Sequence, residues 1–494
     1  MITYDSFLKV YNKKKSQVIS KEFIGDLETP ISALLKLSPK EKYSFLLESV
    51  EGGEKIGRYS LLGVNPDLIW ECKNKNIKIQ YIDKKKIIKN NKSSPLKSLK
   101  KLLKDSLIPR DKSLPPFPTL VGYVGYPMIK HMEKINLTNP DTINISDSIF
   151  IRPKLVAIFD NISNKIILMT PVYYSKDLKA KKAYDKALRI INSAFDKMNK
   201  NIIKEKKINS NIKNIKIKKN FNKKEYSNLI KKAKKYINKG DIFQVVTSQR
   251  FEIPYDLPAI SLYRSLRRLN PSPFLVNLNF NDIGLVASSP EILVRLRNNK
   301  VTIRPIAGTR PRGKNKKEDI KLSKDLLSDK KELAEHLMLL DLGRNDVGKV
   351  SKIGSVHVTE KMNIEYYSHV MHIVSNVEGI IEKKYDAIDA LISGFPAGTV
   401  SGAPKIRAME IIEELENLNR SFYGGAIGYF DSNGQMDTCI ALRTGLVKNK
   451  KLIIQAGGGI VYDSNEEKEY QETINKAKAI IKAAADSLKN IRNK

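Results

Sequence analysis

The sequence FPAGTVSGAPK, residues 395–405, opens the stretch that decides the fold, and this stretch continues to Ala477. An amphipathic helix is predicted directly after the opening segment. Two strand-like runs follow, YGGAIGY at 423–429 and CIALRT at 439–444, and the second places Arg443 on a predicted strand. The stretch ends with an apolar strand that carries three glycines and with an acidic helix, IIQAGGGI at 453–460 and EKEYQETINK at 467–476.

The chemical groups in this stretch suit one kind of ligand. Arg443 can offer a planar fork of N–H donors to a carboxylate. Gly457, Gly458 and Gly459 leave backbone N–H groups open to an anion, because glycine has no side chain. The glutamates of the last helix can supply oxygen ligands to a divalent cation. The stretch therefore predicts a site for a small polyanion that is held partly through a divalent cation.

The composition of the 494-residue chain limits its class. A hydrophobic fraction of 41% is ordinary for a globular chain with two domains or one large layered body. No apolar run reaches the roughly 18 residues of a membrane span, and the first residues do not resemble a secretory signal. Two cysteines, Cys72 and Cys439, are too few for a disulfide framework. We therefore expect a cytoplasmic protein without a membrane partner.

The net charge of +35 raises the alternative of a basic nucleic-acid-binding protein. The excess charge is mostly lysine, spread through Lys/Asn/Ile-rich segments such as 204–219. No zinc-finger, RNA-recognition or basic-zipper pattern accompanies it, and a charge run of this kind is usually a solvated face. We therefore expect no nucleic-acid partner.

The order of the predicted elements favours an α+β fold with antiparallel sheets over a doubly wound fold, because strands occur in runs with helices between the sets. A Lys/Asn-rich tract with few apolar residues, 201–220, is predicted to be a connecting loop. This loop divides the chain into an N-terminal region, 1–200, and a C-terminal region, 221–494.

Two pairs of glutamates have the same spacing on predicted helices. Glu332 and Glu335 lie three residues apart, and Glu469 and Glu472 repeat this spacing on the last helix. The spacing puts both carboxylates on one side of a helix. Two such helices facing each other would bind one Mg²⁺ and leave room for water and a substrate carboxylate. The alternative is a surface ion pair between Glu472 and Lys476, four residues apart.

Together with the motifs SPE at 289–291, RPIAGTRP at 304–311 and YSHVMHIVS at 367–375, the stretch resembles the anthranilate synthase component I family of chorismate-utilising enzymes. The resemblance covers nearly the whole chain. It implies two face-packed, mostly antiparallel β-sheets with helices on the outside, and it implies that both halves of the chain contribute to both sheets. The C-terminal region would then be the catalytic, chorismate-binding one.

The same resemblance implies the roles of individual residues. Glu335 and Glu472 align with direct Mg²⁺ ligands, whereas Glu332 and Glu469 are expected to act through water. The implied chorismate contacts are Gly308, Thr309, Tyr423, Arg443, Gly457, Gly458 and Gly459.

Two residues align with the catalytic groups of the family. Glu291 aligns with a general acid that protonates the departing C4 hydroxyl of chorismate, and an acid is needed because hydroxide is a poor leaving group. Seen alone, this Ser-Pro-Glu would be read as a helix or turn cap. His372 aligns with a histidine beside the reacting ring that positions the leaving hydroxyl or assists pyruvate elimination. His336 and His369 are predicted to be structural.

Two positions distinguish reactions within the family. Relatives that make 4-amino-4-deoxychorismate carry a nucleophilic lysine where this chain has Ala307. Relatives that make isochorismate carry a lysine base where this chain has Gln244, and glutamine cannot abstract a proton. The resemblance therefore implies that ammonia attacks C2 directly, which is the lyase reaction of anthranilate synthase in tryptophan biosynthesis. Aminodeoxychorismate synthase, isochorismate synthase and a catalytically silent binding subunit are the alternatives.

The partners follow from the same resemblance. Neither Cys72 nor Cys439 lies in a glutaminase motif, so ammonia is expected from a separate glutamine amidotransferase subunit, in a hetero-oligomer of two large and two small subunits. Glu48-Ser49 and the segment 270–274 match two halves of a feedback site for L-tryptophan. Its implied contacts are Ser49, Pro271, Ser272 and Pro273. Without the resemblance, the Asn-Pro-Ser-Pro segment would be read as a rigid loop.

Overall fold

The computed structural model describes residues 2–39, 42–51, 55–109, 114–202, 216–367 and 370–492. The α-helices within these ranges are α1 Tyr4–Asn12, α2 Pro30–Leu37, α3 Pro95–Asp105, α4 Ala180–Met198, α5 Lys223–Asn238, α6 Ala259–Leu269, α7 Lys316–Ser328, α8 Lys330–Gly348, α9 Ala387–Gly394, α10 Lys405–Leu415 and α11 Glu466–Arg492. Short 3₁₀ turns occupy Tyr126–His131 and Gly398–Val400.

The strands of the described residues are β1 Gln17–Ile24, β2 Tyr43–Glu48, β3 Val50–Glu51, β4 Lys55–Ile56, β5 Tyr59–Lys73, β6 Asn76–Tyr81, β7 Lys86–Asn90, β8 Pro118–Val124, β9 Ser148–Asp160, β10 Lys165–Val172, β11 Lys218–Lys219, β12 Gln244–Pro254, β13 Phe274–Phe280, β14 Ile283–Ser289, β15 Ile292–Arg297, β16 Lys300–Ile303, β17 Ile306–Pro311, β18 His357–Tyr366, β19 Val370–Ile380, β20 Gly402–Ala403, β21 Ala426–Asp431, β22 Met436–Ile440, β23 Thr444–Lys448 and β24 Lys451–Ile460.

The strands form two antiparallel layers. The first layer has the order β11–β12–β24–β23–β14–β13–β2–β5–β9–β10–β1. The second has the order β7–β6–β5–β9–β8–β21–β22–β15–β16–β19, with β17 and β18 also paired to β19. Both layers combine strands from the two halves of the chain, as the resemblance implied.

The two long strands β5 and β9 belong to both layers. The first part of β5 pairs with β2 through residues 61–64, and the last part, residues 68–73, pairs with β6. Between these parts the register of β5 against β9 shifts between Pro66 and Leu68. Proline cannot donate to a ladder, and a bulge bends a strand, so the chain turns from one sheet into the other here. One continuous hydrogen-bonded ladder therefore connects both faces of the sandwich.

The hydrophobic core confirms the face-packed arrangement. Strand residues of both layers, among them Tyr123, Leu278 and Cys439, form one buried cluster between the sheets. The outer face of the first layer is covered mainly by α1, α2, α4, α6 and α11, and that of the second mainly by α3, α8 and α9. A further buried cluster joins α5 and α10 to β12 and β24. The predicted α+β fold is therefore confirmed.

One local prediction is wrong, and others fall outside the described residues. Arg443 does not lie on a strand, because β22 ends at Ile440 and β23 begins at Thr444. Arg443 instead has a left-handed backbone with φ of 47°. Most of the predicted connecting loop, and His369, lie outside the described residues, and the division into two regions stays a prediction. Across the part of the chain that is described, no helix is both long and apolar enough to cross a membrane.

Replacing Gly122 with alanine should lower the free energy of unfolding by about 1–3 kcal/mol, because the sheet cannot accept an extra atom there. Gly122 lies on β8 against β9, and an added Cβ would be 1.8 Å from the backbone oxygen of Ile149. The control is Gly348→Ala at the end of α8, where nothing lies within 4 Å of an added Cβ. Thermal denaturation followed by circular dichroism measures both; equal melting temperatures would contradict the close packing of β8.

Candidate functional site

The floor of the candidate site is the pairing of β12 with β24. Gly457 faces Ser248, Gly458 faces Thr247 and Gly459 faces Val246 across the ladder. Side chains would collide at two of the three glycines: an added Cβ at Gly457 would lie 2.5 Å from the backbone oxygen of Thr247, and one at Gly459 would lie 2.2 Å from an amide nitrogen. The glycines are therefore needed because neighbouring groups approach the strand closely.

Two acidic helices meet at this floor. An added Cβ at Gly458 would lie 3.3 Å from Oε2 of Glu469 and 3.8 Å from Oε1 of Glu472, which places both α11 carboxylates over the strand. From α8, Oε1 of Glu335 accepts a 3.2 Å hydrogen bond from Nε2 of Gln244, the residue that begins β12 and lies against Gly459. The predicted carboxylates of the two helices are therefore brought to one place.

The start of α8 is fixed by capping. The side chain of Asp329 accepts hydrogen bonds from the backbone N–H groups of Lys331 and Glu332, and this satisfies two otherwise free donors of the first turn. Arg310 then bridges Asp329 and Glu332, at 2.8 and 3.4 Å. Glu332 lies against β17, since its Oε2 would be 3.2 Å from a Cβ added at Gly308.

The carboxylates repel one another in a partly desolvated space. Burial, followed by the charge of Glu332, raises the pKa of Glu335 above its usual value, and Glu472 adds to the shift. Burial likewise raises the pKa of Glu469, with a further contribution from Glu472. A divalent cation would relieve this repulsion, and Mg²⁺ is usually held by only one or two carboxylates together with water, so Glu335 and Glu472 fit this ion. No group of three or more His, Cys, Asp or Glu side chains that could hold a metal occurs among the described residues.

Lys476 is a site residue that the sequence analysis treated only as an alternative partner of Glu472. The ion pair with Glu472 is present, at 2.6 Å. The same ammonium group donates a 3.0 Å hydrogen bond to the backbone oxygen of Gly457. Lys476 therefore lies on the floor beside the glycines as well as beside the acidic helix. The i, i+4 spacing predicted the pair, but the contact with β24 depends on the tertiary fold.

Glu291 is a buried carboxylic acid that joins β14 to β15. Its carboxylate oxygens lie 3.0 and 3.1 Å from the hydroxyl of Thr399, in the turn that precedes β20. Burial raises the pKa of Glu291 from 4.5 to about 8, against the opposing effects of Thr399 and Lys476. Glu291 is therefore protonated at neutral pH and can act as a proton donor. Thr399 was not identified from the sequence, since its role depends on this long-range contact.

Arg443 and Tyr423 provide the polar wall for an anion. The guanidinium group of Arg443 forms no hydrogen bond or ion pair with any residue that the structure describes, although burial lowers its pKa. The hydroxyl oxygen of Tyr423 would lie 2.8 Å from a Cβ added at Gly457, so the Tyr423 side chain reaches the floor. A desolvated arginine without an internal partner is unfavourable unless a ligand anion pairs with it. This pair therefore fits a bound carboxylate.

A bulge in β17 orients His372. Gly308 has φ of 75° and is the extra residue between Ala307 and Thr309 in the pairing with β19. The bulge lets Nδ1 of His372 contact both the Gly308 oxygen and the Thr309 hydroxyl at 3.0 Å. Burial lowers the pKa of His372, so the ring is neutral at pH 7. With a hydrogen on Nδ1 donated to Gly308, Nε2 remains as an acceptor.

Ala307, Gln244 and His336 are the remaining residues that the sequence analysis singled out around this site. Ala307 precedes Gly308 on β17, and the buried Gln244 has an Oε1 atom without a hydrogen-bond partner within the described ranges. His336 is fully buried and bonds to Ser375 through Nε2 at 2.7 Å, and burial lowers its pKa to about 4. This environment agrees with the structural role predicted for His336.

The two predicted halves of the tryptophan site are adjacent. Leu275 of β13 pairs with Glu48 of β2, and the backbone N–H of Val50 donates a 3.1 Å hydrogen bond to the oxygen of Ser272. The Glu48 carboxylate is held by Tyr263 and by Arg267, the latter at 2.8 Å. Glu48 is therefore a structural member of this region. Of the predicted contacts, Ser49, Pro271 and Pro273 are partly exposed, whereas Ser272 is buried.

Comparisons with known proteins agree with this geometry. A family model described as chorismate binding enzyme matches residues 65–482. Anthranilate synthase component 1 of Cereibacter sphaeroides is 48% identical over 490 residues, which cover 99% of this chain and 98% of the relative. Anthranilate synthase component 1 of Aquifex aeolicus is 44% identical over 469 residues, which cover 94% and 93%.

Solved structures show the same architecture. Anthranilate synthase component I from Streptococcus pneumoniae TIGR4 matches with a TM-score of 0.76 at 36% identity, over 93% of this chain and 98% of that one. MenF, the menaquinone-specific isochorismate synthase from Escherichia coli, matches with a TM-score of 0.71 at 18% identity, over 97% and 98%. The second likeness concerns the fold alone.

The raised pKa of Glu291 predicts a pH-dependent loss of stability. A glutamate with a pKa of 4.5 when unfolded and about 8 when folded stabilises the fold below pH 4.5, and this contribution is lost as the pH rises towards 8. Glu291→Gln cannot titrate at this position. Between pH 5 and pH 8 its free energy of unfolding should therefore rise relative to that of the native protein, by up to about 1.4 kcal/mol per pH unit, and its relative melting temperature should rise with it. Parallel melting curves across this range would contradict the raised pKa.

Proposed function

Because the chain belongs to the anthranilate synthase component I family of chorismate-binding enzymes, we propose that it converts chorismate and ammonia into anthranilate and pyruvate. Chorismate carries two carboxylates, an enolpyruvyl ether and a hydroxyl at C4. The proposed reaction adds ammonia at C2, expels the C4 hydroxyl as water and then eliminates pyruvate to give the aromatic ring.

The observation that carries the proposal is Glu291, a buried acid that is protonated at neutral pH beside an anion-binding wall. Expulsion of the C4 hydroxyl needs a proton, and such a transfer typically contributes about 10²–10⁴-fold. The backbone N–H of Ile440 donates to the backbone oxygen of Glu291 at 3.1 Å, and that of Ser288 donates to the backbone oxygen of Arg443 at 3.1 Å. The acid and the arginine are therefore held by neighbouring turns of one framework.

The other residues bind and orient the substrate. Arg443 pairs with the carboxylate of the pyruvyl arm, while Tyr423 and the backbone of Gly457, Gly458 and Gly459 enclose it. Gly308 and Thr309 are proposed contacts of chorismate. His372 is neutral, and its Nε2 has no hydrogen-bond partner among the described residues, so it can position the leaving hydroxyl or assist pyruvate elimination. Lys476 adds a positive charge beside the floor. Glu335 and Glu472 would hold Mg²⁺, which would supply Lewis-acid stabilisation of negative charge on the substrate.

Two side chains favour this reaction over its siblings. Ala307 has no nucleophile for covalent attack at C2, which supports direct addition of ammonia. Gln244 cannot act as a base towards water, and its amide already donates to Glu335. Ammonia is nucleophilic without such a base. These positions support anthranilate formation over aminodeoxychorismate or isochorismate formation.

Ammonia is proposed to come from a partner glutaminase in a complex of two large and two small subunits. A glutaminase needs a cysteine thiolate. Both cysteines of this chain are buried, and burial raises the pKa of Cys72 and of Cys439 to about 12. Neither thiol is therefore a competent nucleophile.

Feedback inhibition by L-tryptophan is supported by the contacts of the 270–273 loop. The Ser288 hydroxyl donates to the backbone oxygen of Asn270 at 2.5 Å, and the Ser272 hydroxyl donates to the backbone oxygen of Ser289 at 2.5 Å. Ser289 lies two residues before Glu291, on the same segment. A ligand that binds this loop better in one conformation can therefore act on the proposed acid.

The decisive measurement is an assay of the purified chain with chorismate, Mg²⁺ and ammonium, followed by anthranilate fluorescence and pyruvate release. We expect both products in equal amounts, loss of activity with a chelator, and no turnover with glutamine replacing ammonium. Glu291→Gln should lower kcat by about 10²-fold or more while chorismate still binds, because it lacks only the proton.

Other products would contradict specific parts of the proposal. Isochorismate or aminodeoxychorismate would contradict the roles of Gln244 and Ala307. Unimpaired turnover in Glu291→Gln would exclude this residue as the general acid, and consumption of glutamine by the chain alone would exclude the separate partner.

Tryptophan is expected to raise the apparent KM for chorismate in the same assay. The hydroxyl of Ser49 has no hydrogen-bond partner in the described part of the chain, so it is available to a ligand. Ser49→Ala should weaken inhibition while kcat and KM without tryptophan stay unchanged, because Ser49 does not touch the catalytic residues. Calorimetric binding of tryptophan that leaves the rate unaffected would contradict the regulatory role.

A further inference from the structure

The buried ion pair between Arg420 and Glu416 lies behind the candidate site, in the segment between α10 and β21. Nε and Nη2 of Arg420 bond to the two carboxylate oxygens of Glu416 at 3.0 and 2.6 Å. Both side chains are almost completely buried, with exposed fractions of 2% and 3%. Desolvating two charges is costly and is offset only where other groups complete the hydrogen bonding. The groups that complete it belong to the walls of the site.

The glutamate end of the pair holds the floor. Oε1 of Glu416 accepts 2.8 Å hydrogen bonds from both the backbone N–H and the hydroxyl of Ser248 on β12. Ser248 is the residue directly opposite Gly457 in the ladder. Glu416 therefore fixes β12 at the position where the first glycine of the triplet is paired.

The arginine end connects the floor to the turn beside the acid. Nη2 of Arg420 donates to the backbone oxygen of Val246 at 2.6 Å, and Val246 pairs with Gly459. Nη1 donates to the backbone oxygen of Val400 at 2.5 Å. Val400 follows Thr399, whose hydroxyl contacts Glu291. One guanidinium group thus spans the glycine floor and the Thr399 turn.

The same guanidinium group is sandwiched between two tyrosine rings. Its carbon lies 5.5 Å from the ring centre of Tyr423 and 5.1 Å from that of Tyr126. A planar cation in this position attracts both rings, and lysine cannot reproduce the stacking or the forked donors. Tyr423 is one of the proposed chorismate contacts, so the arginine also orients the anion-binding wall.

We propose that Arg420 and Glu416 are positioning residues for catalysis, which keep β12, the Thr399 turn and Tyr423 in register around the substrate. This inference rests on the proposed function of the site. The pair does not contact the substrate; it acts through Ser248, Val400 and Tyr423. A displacement of about 1 Å in such a framework can lower the rate about 10²-fold.

The test compares Arg420→Lys with a matched arginine elsewhere. Arg152 is also buried, bonds bidentately to Asp67 at 2.8 and 2.6 Å, and lies 4.2 Å from the ring centre of Tyr173, but these partners do not line the site. Arg420→Lys should lower kcat/KM about 100-fold and weaken chorismate binding in calorimetry. Arg152→Lys should retain the native kcat/KM and the native affinity for chorismate, even if its melting temperature falls as much as that of Arg420→Lys.

A rescue experiment separates positioning from folding. Millimolar guanidinium chloride should restore part of the activity of Arg420→Ala and none of the activity of Glu291→Gln, because the added ion replaces only the missing group. Equal losses in the Arg420→Lys and Arg152→Lys proteins, or native values in Arg420→Lys, would overturn the inference. If the native protein binds chorismate but makes no anthranilate, the proposed function fails while the binding comparison still decides the positioning role. If the native protein does not bind chorismate, both fail.

Discussion

The pairing of β12 with β24 is the constraint on which the candidate site depends. The pairing brings Gly457 and Gly459 so close to backbone and amide groups of β12 that a side chain at either position would collide with them. The strand that can offer unobstructed backbone to an anion is therefore also a strand that must pair closely with its neighbour. α11 follows β24 directly and places its carboxylates over the middle glycine, so the metal-binding prediction depends on the same pairing.

Burial acts in opposite directions on the charged groups of this site. It raises the pKa of Glu291 to about 8 and leaves a neutral acid, whereas Arg443 stays cationic because even a lowered arginine pKa remains far above neutrality. A desolvated cation and a protonated acid are thus maintained in neighbouring segments, which the Ile440–Glu291 and Ser288–Arg443 backbone hydrogen bonds hold. A dianionic substrate that must lose a hydroxyl needs both of them. The protonation states of Glu291 and Arg443 are therefore stronger support for the proposed reaction than any single distance in the site.

The sequence predicted what depends on local pattern. The amphipathic helix predicted after the 395–405 segment is present as α10, and the three-residue intervals of the acidic pairs placed both carboxylates of each helix on one face. Contacts between distant segments were not predictable in this way. Thr399 meets Glu291 across 108 positions and Ser248 meets Glu416 across 168, and no periodicity reports such distances. The left-handed conformation of Arg443 was missed because a positive φ is uncommon for any residue other than glycine, and the surrounding structure imposes it here.

The high lysine content is compatible with a site of this kind because few of these charges enter it. Lys476 contacts the floor, while other lysines, such as Lys101 and Lys165, form ion pairs on the exposed surface. Surface pairs of this type contribute little to stability and are screened by salt over about 10 Å. The long-range field of the positive surface still attracts anions. Chorismate, the proposed substrate, is a dianion, so a basic exterior would assist its approach to the site where Arg443 and Glu291 have their proposed roles.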